Sequence, residues 1–526
     1  MPKVLSFLFL LVISYQLNAQ IYPQENSTLH YRIIGFSFPK IKDANNYTIE
    51  IAAGNNNTED AFKKNIIISK KTDANKLIVE VPSFGKEYTW RSVWSIKGAT
   101  TASSMHHFSC VISSEVDTNV TRLRILKKAE KYKDAYVFMD GSNTLYDMDG
   151  NPVWYVPVKG KLNPKKGKLW DMKLTPDGTI TFLLDQNIYE INYDGDILWK
   201  GPNNGKVSGD SIEYYHHELM KLTNGHYMVL GTEFVSWAFP GSTDSEGKIG
   251  KMKSSKDAAK QRTAFGTIIE YDHDGNVIWS WKSSEYFKNI DPKYLKSDFD
   301  DPKTSKQIVD VHANAFYFDE KEKVVYFSFK NISSIIKIKY PEGNVLNTYG
   351  RLGDQTAAKD ANEQFCGQHS CKTTKSGYLF LYNNNACHKE ELPKIMIYEQ
   401  PEKDNSVLKK IWEYSCSFND VIAEKQKETK YSNDTNAIAT PELLSSLNIY
   451  SKGGNVIELP DQSIFASICG IYGKVFIITP EKETVWSGLL ETWNQYQRKW
   501  EDIINYKANI IVDPKELERV IWNSEK

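Results

Sequence analysis

Apolar and polar positions along this chain alternate in short runs, and the runs themselves repeat. From about residue 120 each unit offers two strands, a third strand carrying Tyr or Ile, an acidic-Gly turn and a last strand with a late aromatic. Residues 169–200, LWDMKLTPDGTITFLLDQNIYEINYDGDILWK, show the pattern most clearly. The closing hairpin at 188–200 lines up with 145–155, 268–281, 335–349 and 475–487, and more loosely with 394–414. Six copies at the period of four-stranded blades predict a six-bladed β-propeller over residues 118–490. The Asp-Gly turns read as two-residue hairpin loops, and the trailing Trp as packing between blades.

Ahead of the repeats, residues 20–115 read as short strands between Asn, Gly and Pro turn signals: YTIEIA at 47–52, KLIVEV at 76–81, YTWRSVWSI at 88–96. The turn at 44–47 and the Tyr-x-Trp-Arg-x-Val strand resemble fibronectin-type-III sandwiches. The expected fold class is therefore all-β, a fibronectin-III-like β-sandwich followed by the propeller. His106 and His107, in the last strand of this domain, read as surface or packing residues. A polar insertion at 236–263, in the third repeat, is expected as a surface loop at one mouth of the channel. Residues 491–526 are expected as a C-terminal tail, helix plus a strand, packing on the propeller.

Composition narrows the setting. Lys3, an apolar run at 4–13 and Leu17-Asn18-Ala19 form a secretory signal peptide over residues 1–19, because ten apolar residues are too few to span a bilayer. No Cys follows that run and no later stretch suits a membrane span, so a periplasmic or secreted protein with no membrane anchor is expected. With 65 basic against 66 acidic residues, no nucleic-acid footprint is visible. The six cysteines are not spaced as a zinc ribbon or a redox CxxC pair. In an exported chain Cys366 and Cys371 are the expected disulfide, closing a small loop around His369, with two buried free thiols as the alternative.

The histidines carry the chemistry. His217 is followed seven and eight residues later by Asn224-Gly225, His369 by Ser376-Gly377, and His312 by Asp319-Glu320. They thus share one position, near the start of the innermost strands of the third, fourth and fifth repeats; Leu169 and Gly454 are read as its counterparts in the second and sixth. Innermost strands line the channel of a propeller, so three imidazoles should enter one funnel. A His₃ metal site is one reading. The spacing of adjacent inner strands argues against it, as does the lack of a recurring carboxylate beyond Glu218 and Asp310, so no metal and no cofactor are expected. The other reading is an anion site: one imidazole is the nucleophile, Lys330 supplies a cation, and Asn314 with Asn383 and Asn385 supply neutral donors. His216, by strand alternation, should face away as packing. His226, His273 and His388 sit near turns and read as solvated.

HHELMKLTNGHYMVLG, DVHANAFYFD, SFKNISSIIKI and QHSCKTTKSGYLFLYNNN resemble the corresponding motifs of the bacterial arylsulfate sulfotransferases. Those are periplasmic enzymes, a β-sandwich ahead of a six-bladed propeller, that move a sulfuryl group between phenols without the nucleotide donor PAPS. The resemblance covers most of the repeats. It implies a small-molecule aryl sulfate donor and a phenolic acceptor, and His369 as a nucleophile that becomes a sulfohistidine. His217 and His312 match the family's other active-site histidines, and Cys366 with Cys371 match its active-site disulfide approximately. Homodimerisation is implied by family analogy alone. Lys330 departs from the pattern: the family has an Arg there, whose fork grips an oxyanion where Lys offers a point charge, so positioning or donor choice should differ. Two rival readings are a non-catalytic propeller binding a glycan or other ligand, and a metal-dependent lyase or hydrolase using the His cluster.

Overall fold

A computed structural model describes residues 21–44, 46–237, 261–287, 290, 296–300, 303, 305–351, 364–365, 367–386, 392–401, 407–429, 452–470 and 473–523. The chain divides into two compact units, Met1–Val111 and Ile112–Ser524. Both are built from strands. The expected signal peptide, His388 and the Lys-rich centre of the third-repeat insertion lie outside the described residues.

In the first unit a six-stranded sheet faces a two-stranded one formed by Ile33–Ser37 and Lys76–Glu80. Tyr47–Ala53 alternates buried and half-buried positions along most of its length, as a strand with one face on a core must. Phe36, from the small sheet, stands edge-on to Trp90 at 5.1 Å and to Phe108 at 5.9 Å on the large one. These aromatic contacts join the two sheets around one core. His107 Nδ1 meets Glu25 Oε1 at 2.8 Å, and His106 leans on Trp90.

The second unit contains six sheets among the described residues, antiparallel but for one parallel pairing (Thr263 with Val309) in the third, and each sheet touches the next, the sixth returning to the first. The second sheet runs Leu169–Leu174, Ile180–Leu184, Asn187–Ile191, Ile197–Lys200, each strand pairing with the next. The third (Leu219–Lys221 to Val277–Lys282), fourth (Ala313–Asp319 to Val345–Gly350), fifth (Gln368–Thr373 to Lys409–Ser415) and sixth (Asn455–Glu458 to Thr484–Asn494) repeat that meander. The first sheet is completed differently. Tyr136–Met139, Thr144–Asp147 and Pro152–Tyr155 take their fourth strand, Ala508–Ile511, from the far end of the chain. The C-terminal segment is thus a structural strand of the ring, followed by a helix at Pro514–Asn523 whose Leu517, Val520 and Ile521 are buried.

In five of the six repeats the late Trp closes the junction by hydrogen bonding as well as by packing. Trp154 Nε1 donates to the Tyr193 carbonyl, Trp199 to His273, Trp279 to Pro341, Trp412 to Pro480, and Trp486 back to Met148. Each bond runs from the last strand of one sheet to the closing turn of the next, and the last returns to the first sheet. Each contributes about 1 kcal/mol beyond the burial of the indole. The fourth sheet carries Asn347 at the matching position.

Two expectations are corrected. The Asp-Gly hairpins are not two-residue loops. Gly150 N donates to the Asp147 carbonyl, Gly150 takes φ +84°, and the register then slips between Leu145 and Tyr146. That is an i→i+3 turn followed by a left-handed glycine that adds a residue to one strand. The ends of the third-repeat insertion are not loop: 236–237 and 261–263 extend the Tyr227–Trp237/Gln261–Tyr271 hairpin.

Candidate active site

A left-handed residue sits at or beside each histidine, just before the first strand of the third and fourth sheets and within that of the fifth. His217 has φ +65° and His312 φ +54°, while Ser370, next to His369, has φ +53°. Non-glycine residues rarely adopt this conformation without local compensation. It breaks strand alternation at this level of the ring. His217, His312 and His369 consequently line one cavity of about 780 Å³, together with Lys330, Trp170 and Tyr506. The His217 ring lies 6.1 Å from that of His312 and 6.4 Å from that of His369. Trp170 stacks on Tyr506 at 4.8 Å and presents its edge to His217 at 5.4 Å, making an aromatic wall.

His369 has the best-defined surroundings. Its Nδ1 lies 2.5 Å from Asn384 Oδ1, and Asn384 Nδ2 donates to the Gly453 carbonyl at 3.0 Å. A carbonyl can only accept, so the amide nitrogen of Asn384 must face Gly453 and its oxygen must face the imidazole. Nδ1 therefore carries the hydrogen, and Nε2 keeps the lone pair. Burial holds the His369 pKa well below the ordinary histidine range, with Lys330 adding to the effect, so the ring is neutral. Lys330 directly follows Val324–Phe329, and its backbone N donates to the His312 carbonyl at 2.9 Å.

The neutral donors expected from the sequence stand elsewhere. Asn314 Nδ2 donates to the Gln368 carbonyl at 2.6 Å, bracing the strand that carries His369. Asn383 Nδ2 points to Met396 Sδ and Asn385 Nδ2 to the Leu392 carbonyl, so these two secure a chain turn behind the site. The residue between them, Asn384, is the one that meets the histidine. Cys371 is a free thiol buried among Ala315, Tyr326 and Leu381, with Sγ 3.7 Å from the Tyr326 carbonyl. The expected bridge is thus not made at Cys371, because its side chain is spent on packing between the fourth and fifth sheets; Cys366 lies outside the described residues.

Around His217 the structure departs from simple alternation. His216 was expected to face away, yet Tyr214 and His217 are both left-handed and the stretch between them is not strand. His216 Nδ1 instead hydrogen-bonds to His217 Nδ1, and His216 Nε2 meets Thr232 Oγ1 at 2.6 Å. Both histidines line a second lobe of about 630 Å³, which shares Trp170, His217 and His312 with the first. Burial lowers the pKa of His216 to about 3 and that of His217 well below the usual range, where His216 and His312 add to it. Asp310 Oδ1 accepts from the His312 backbone N at 2.6 Å, and its Oδ2 lies 3.0 Å from His312 Nδ1.

A cluster of buried charges meets the backbone of His217. Lys507 Nζ, from the segment leading into the last strand, donates to Glu218 Oε2 at 2.6 Å, the His217 carbonyl at 2.7 Å and Asp171 Oδ1 at 3.3 Å. Lys173 Nζ reaches Asp171 at 2.7 Å and Glu218 at 3.1 Å. Burial alone would push Glu218 up, but Lys507 and Lys173 bring it to about 2. Among the described residues no group of three His, Cys, Asp or Glu side chains is arranged to hold a metal ion.

A run of sheets that returns on itself, with three imidazoles and a lysine on one cavity, defines an all-β protein with a pocket suited to oxyanions. The model of the Arylsulfotransferase (ASST) family matches residues 119–432, more than half of the chain, and the chain belongs to that family. It is accordingly a sulfotransferase of the kind whose substrates are small aryl sulfates and phenols. No curated protein matches the chain. Among solved structures, a Bacteroides caccae protein of unknown function is 12% identical, covering 72% of this chain and 98% of its own at a TM-score of 0.39. The periplasmic gluconolactonase PpgL of Pseudomonas aeruginosa is 7% identical, covering 75% and 100% at 0.32. The dihydro-heme d1 dehydrogenase NirN is 11% identical, covering 75% and 77% at 0.32. At these values the likenesses carry nothing about function. No helix among the described residues is long and apolar enough to cross a membrane.

Proposed function

We propose that this chain is a PAPS-independent arylsulfate sulfotransferase that works through a sulfohistidine at His369, on a six-bladed propeller preceded by a fibronectin-III-like sandwich. The observation that carries the reading is the Asn384 amide. By taking the hydrogen of His369 Nδ1 it leaves Nε2 as a neutral nucleophile. Nε2 attacks sulfur in line with the S–O bond of the donor, and the aryl oxygen leaves with the bonding pair. Charge spread over the three sulfuryl oxygens is met by Lys330 and His312, with His217 beside them on the same cavity. Trp170 and Tyr506 supply a wall for the aryl ring. A phenol then takes the sulfuryl group by the reverse path, which makes the kinetics ping-pong. The signal-peptide pattern read at residues 1–19 supports a setting in the periplasm or outside the cell.

The test is release of nitrophenol from 4-nitrophenyl sulfate, without PAPS, with and without added phenol. Acceptor-dependent release that vanishes in His369→Ala supports the proposal. A folded protein that turns over no aryl sulfate sinks it.

A further inference from the structure

With phenols of ordinary acidity, both halves of such a reaction need a proton transfer at the aryl oxygen. The departing phenolate must gain one, and the acceptor phenol must lose one. Lys330 is a cation on the cavity but no relay, and His369 is committed to sulfur. We propose that His217, His216 and Thr232 form a proton relay that serves this oxygen, with His216 as a positioning residue that sets the hydrogen on His217. The inference rests on the sulfotransferase reading above.

The geometry allows only two hydrogen arrangements while the imidazoles stay neutral. The Nδ1 atoms of His216 and His217 face one another, so one must carry hydrogen and the other a lone pair. In the first arrangement His216 Nδ1–H donates to His217. Thr232 Oγ1–H then donates to His216 Nε2, and His217 carries its hydrogen on Nε2. In the second every hydrogen has moved one place: His217 Nδ1–H donates to His216, His216 Nε2–H donates to Thr232, and His217 Nε2 bears a lone pair. The first state is an acid for a departing phenolate. The second is a base for an incoming phenol.

The proton count closes. As the S–O bond breaks, the His217 Nε2 proton passes to the aryl oxygen. His217 Nδ1 takes the proton of His216 Nδ1, and His216 Nε2 takes that of the Thr232 hydroxyl. Thr232 regains one from bulk water through the lobe it lines, whose rim carries the exposed Lys165 and Lys166. The second half-reaction runs each transfer backwards and returns the proton to water, so no net charge accumulates. The depressed basicity of both histidines keeps the pair neutral throughout. Thr232, on Tyr227–Trp237, is buried and its backbone N donates to the Glu213 carbonyl at 3.0 Å, which fixes the hydroxyl against His216.

A relay and a packing role differ in how they depend on the leaving group. 4-Nitrophenolate departs readily without a proton, whereas phenolate needs one. kcat/KM is compared for 4-nitrophenyl sulfate and phenyl sulfate in wild type, His216→Gln, Thr232→Val and Thr232→Ser, each checked by thermal melting. The expected result is that His216→Gln and Thr232→Val lose about 10²-fold more on phenyl sulfate than on 4-nitrophenyl sulfate, the usual contribution of general acid catalysis. Thr232→Ser, which keeps the hydroxyl, should recover most of that difference. Equal losses on both donors, or a Thr232→Ser no better than Thr232→Val, would overturn the relay while leaving the sulfotransferase reading intact. Wild type inactive on both donors would instead remove the reading beneath it.

Discussion

Asn384→Ala isolates the one contact on which the nucleophile depends. Asn384 is 2% exposed and binds His369 and the Gly453 carbonyl, without itself lining the cavity. Alanine removes the acceptor for Nδ1–H, so the ring is free to place its hydrogen on Nε2, the arrangement that cannot attack sulfur. A hydrogen bond of this kind is worth about 1–1.5 kcal/mol, which lowers the attacking tautomer, and hence kcat, by about tenfold. The orphaned Gly453 carbonyl should cost a further 1–3 kcal/mol, roughly, in stability. Stopped-flow release of nitrophenol at saturating 4-nitrophenyl sulfate reads the first half-reaction, and a urea titration reads the second effect. Because no substrate contact is removed, KM should change little. A variant with wild-type burst rate, or one whose whole defect lies in KM, would refute the tautomer argument.

Three further outcomes are expected. Lys330→Ala should lower kcat by about 10²–10³-fold on aryl sulfates, the range for losing one preorganised oxyanion partner, while Lys330→Arg should retain activity and alter donor preference; steady-state kinetics over a donor series reads both. Lys507→Met removes from buried Asp171 and Glu218 a cation that pairs with both, leaving Lys173 and Lys372, and should cost about 3–5 kcal/mol in a denaturant titration. The third concerns pH. His216, His217 and His369 have folded pKa values below the ordinary value, so the unfolded chain takes up protons first as pH falls through about 6.5. Their contribution is therefore full above that pH and lost below it, and the melting temperature should drop on acidification from about pH 7.5 to about pH 5.5. A melting temperature that rises over that window contradicts the sign.

The repeat was legible because the late Trp and the acidic-Gly turn are spaced by strand geometry that any sheet ring must obey. The shared histidine offset was legible for the same reason: equal distance to the following turn means equal height on the ring. What escaped the sequence was set by local backbone or by long-range return. His216 was assigned by alternation, and alternation fails where Tyr214 and His217 turn left-handed. Trp170 sits one place beyond the position read as its counterpart, Leu169, and it is the indole that faces His217. Asn384 could not be told from its neighbours in a run of three identical residues. Tyr506 and Lys507 reach the site only because the C-terminal strand Ala508–Ile511 pairs with Tyr136–Met139, a contact across most of the chain.

The most direct measurement of the central claim is a rapid-quench reaction of the protein with an aryl sulfate in the absence of acceptor, followed by peptide mass mapping at alkaline pH. One sulfuryl group should appear on His369, disappear on addition of phenol, and be absent from His369→Ala. A labelled protein whose sulfuryl group sits on another residue, or turnover by His369→Ala at the wild-type rate, would contradict it.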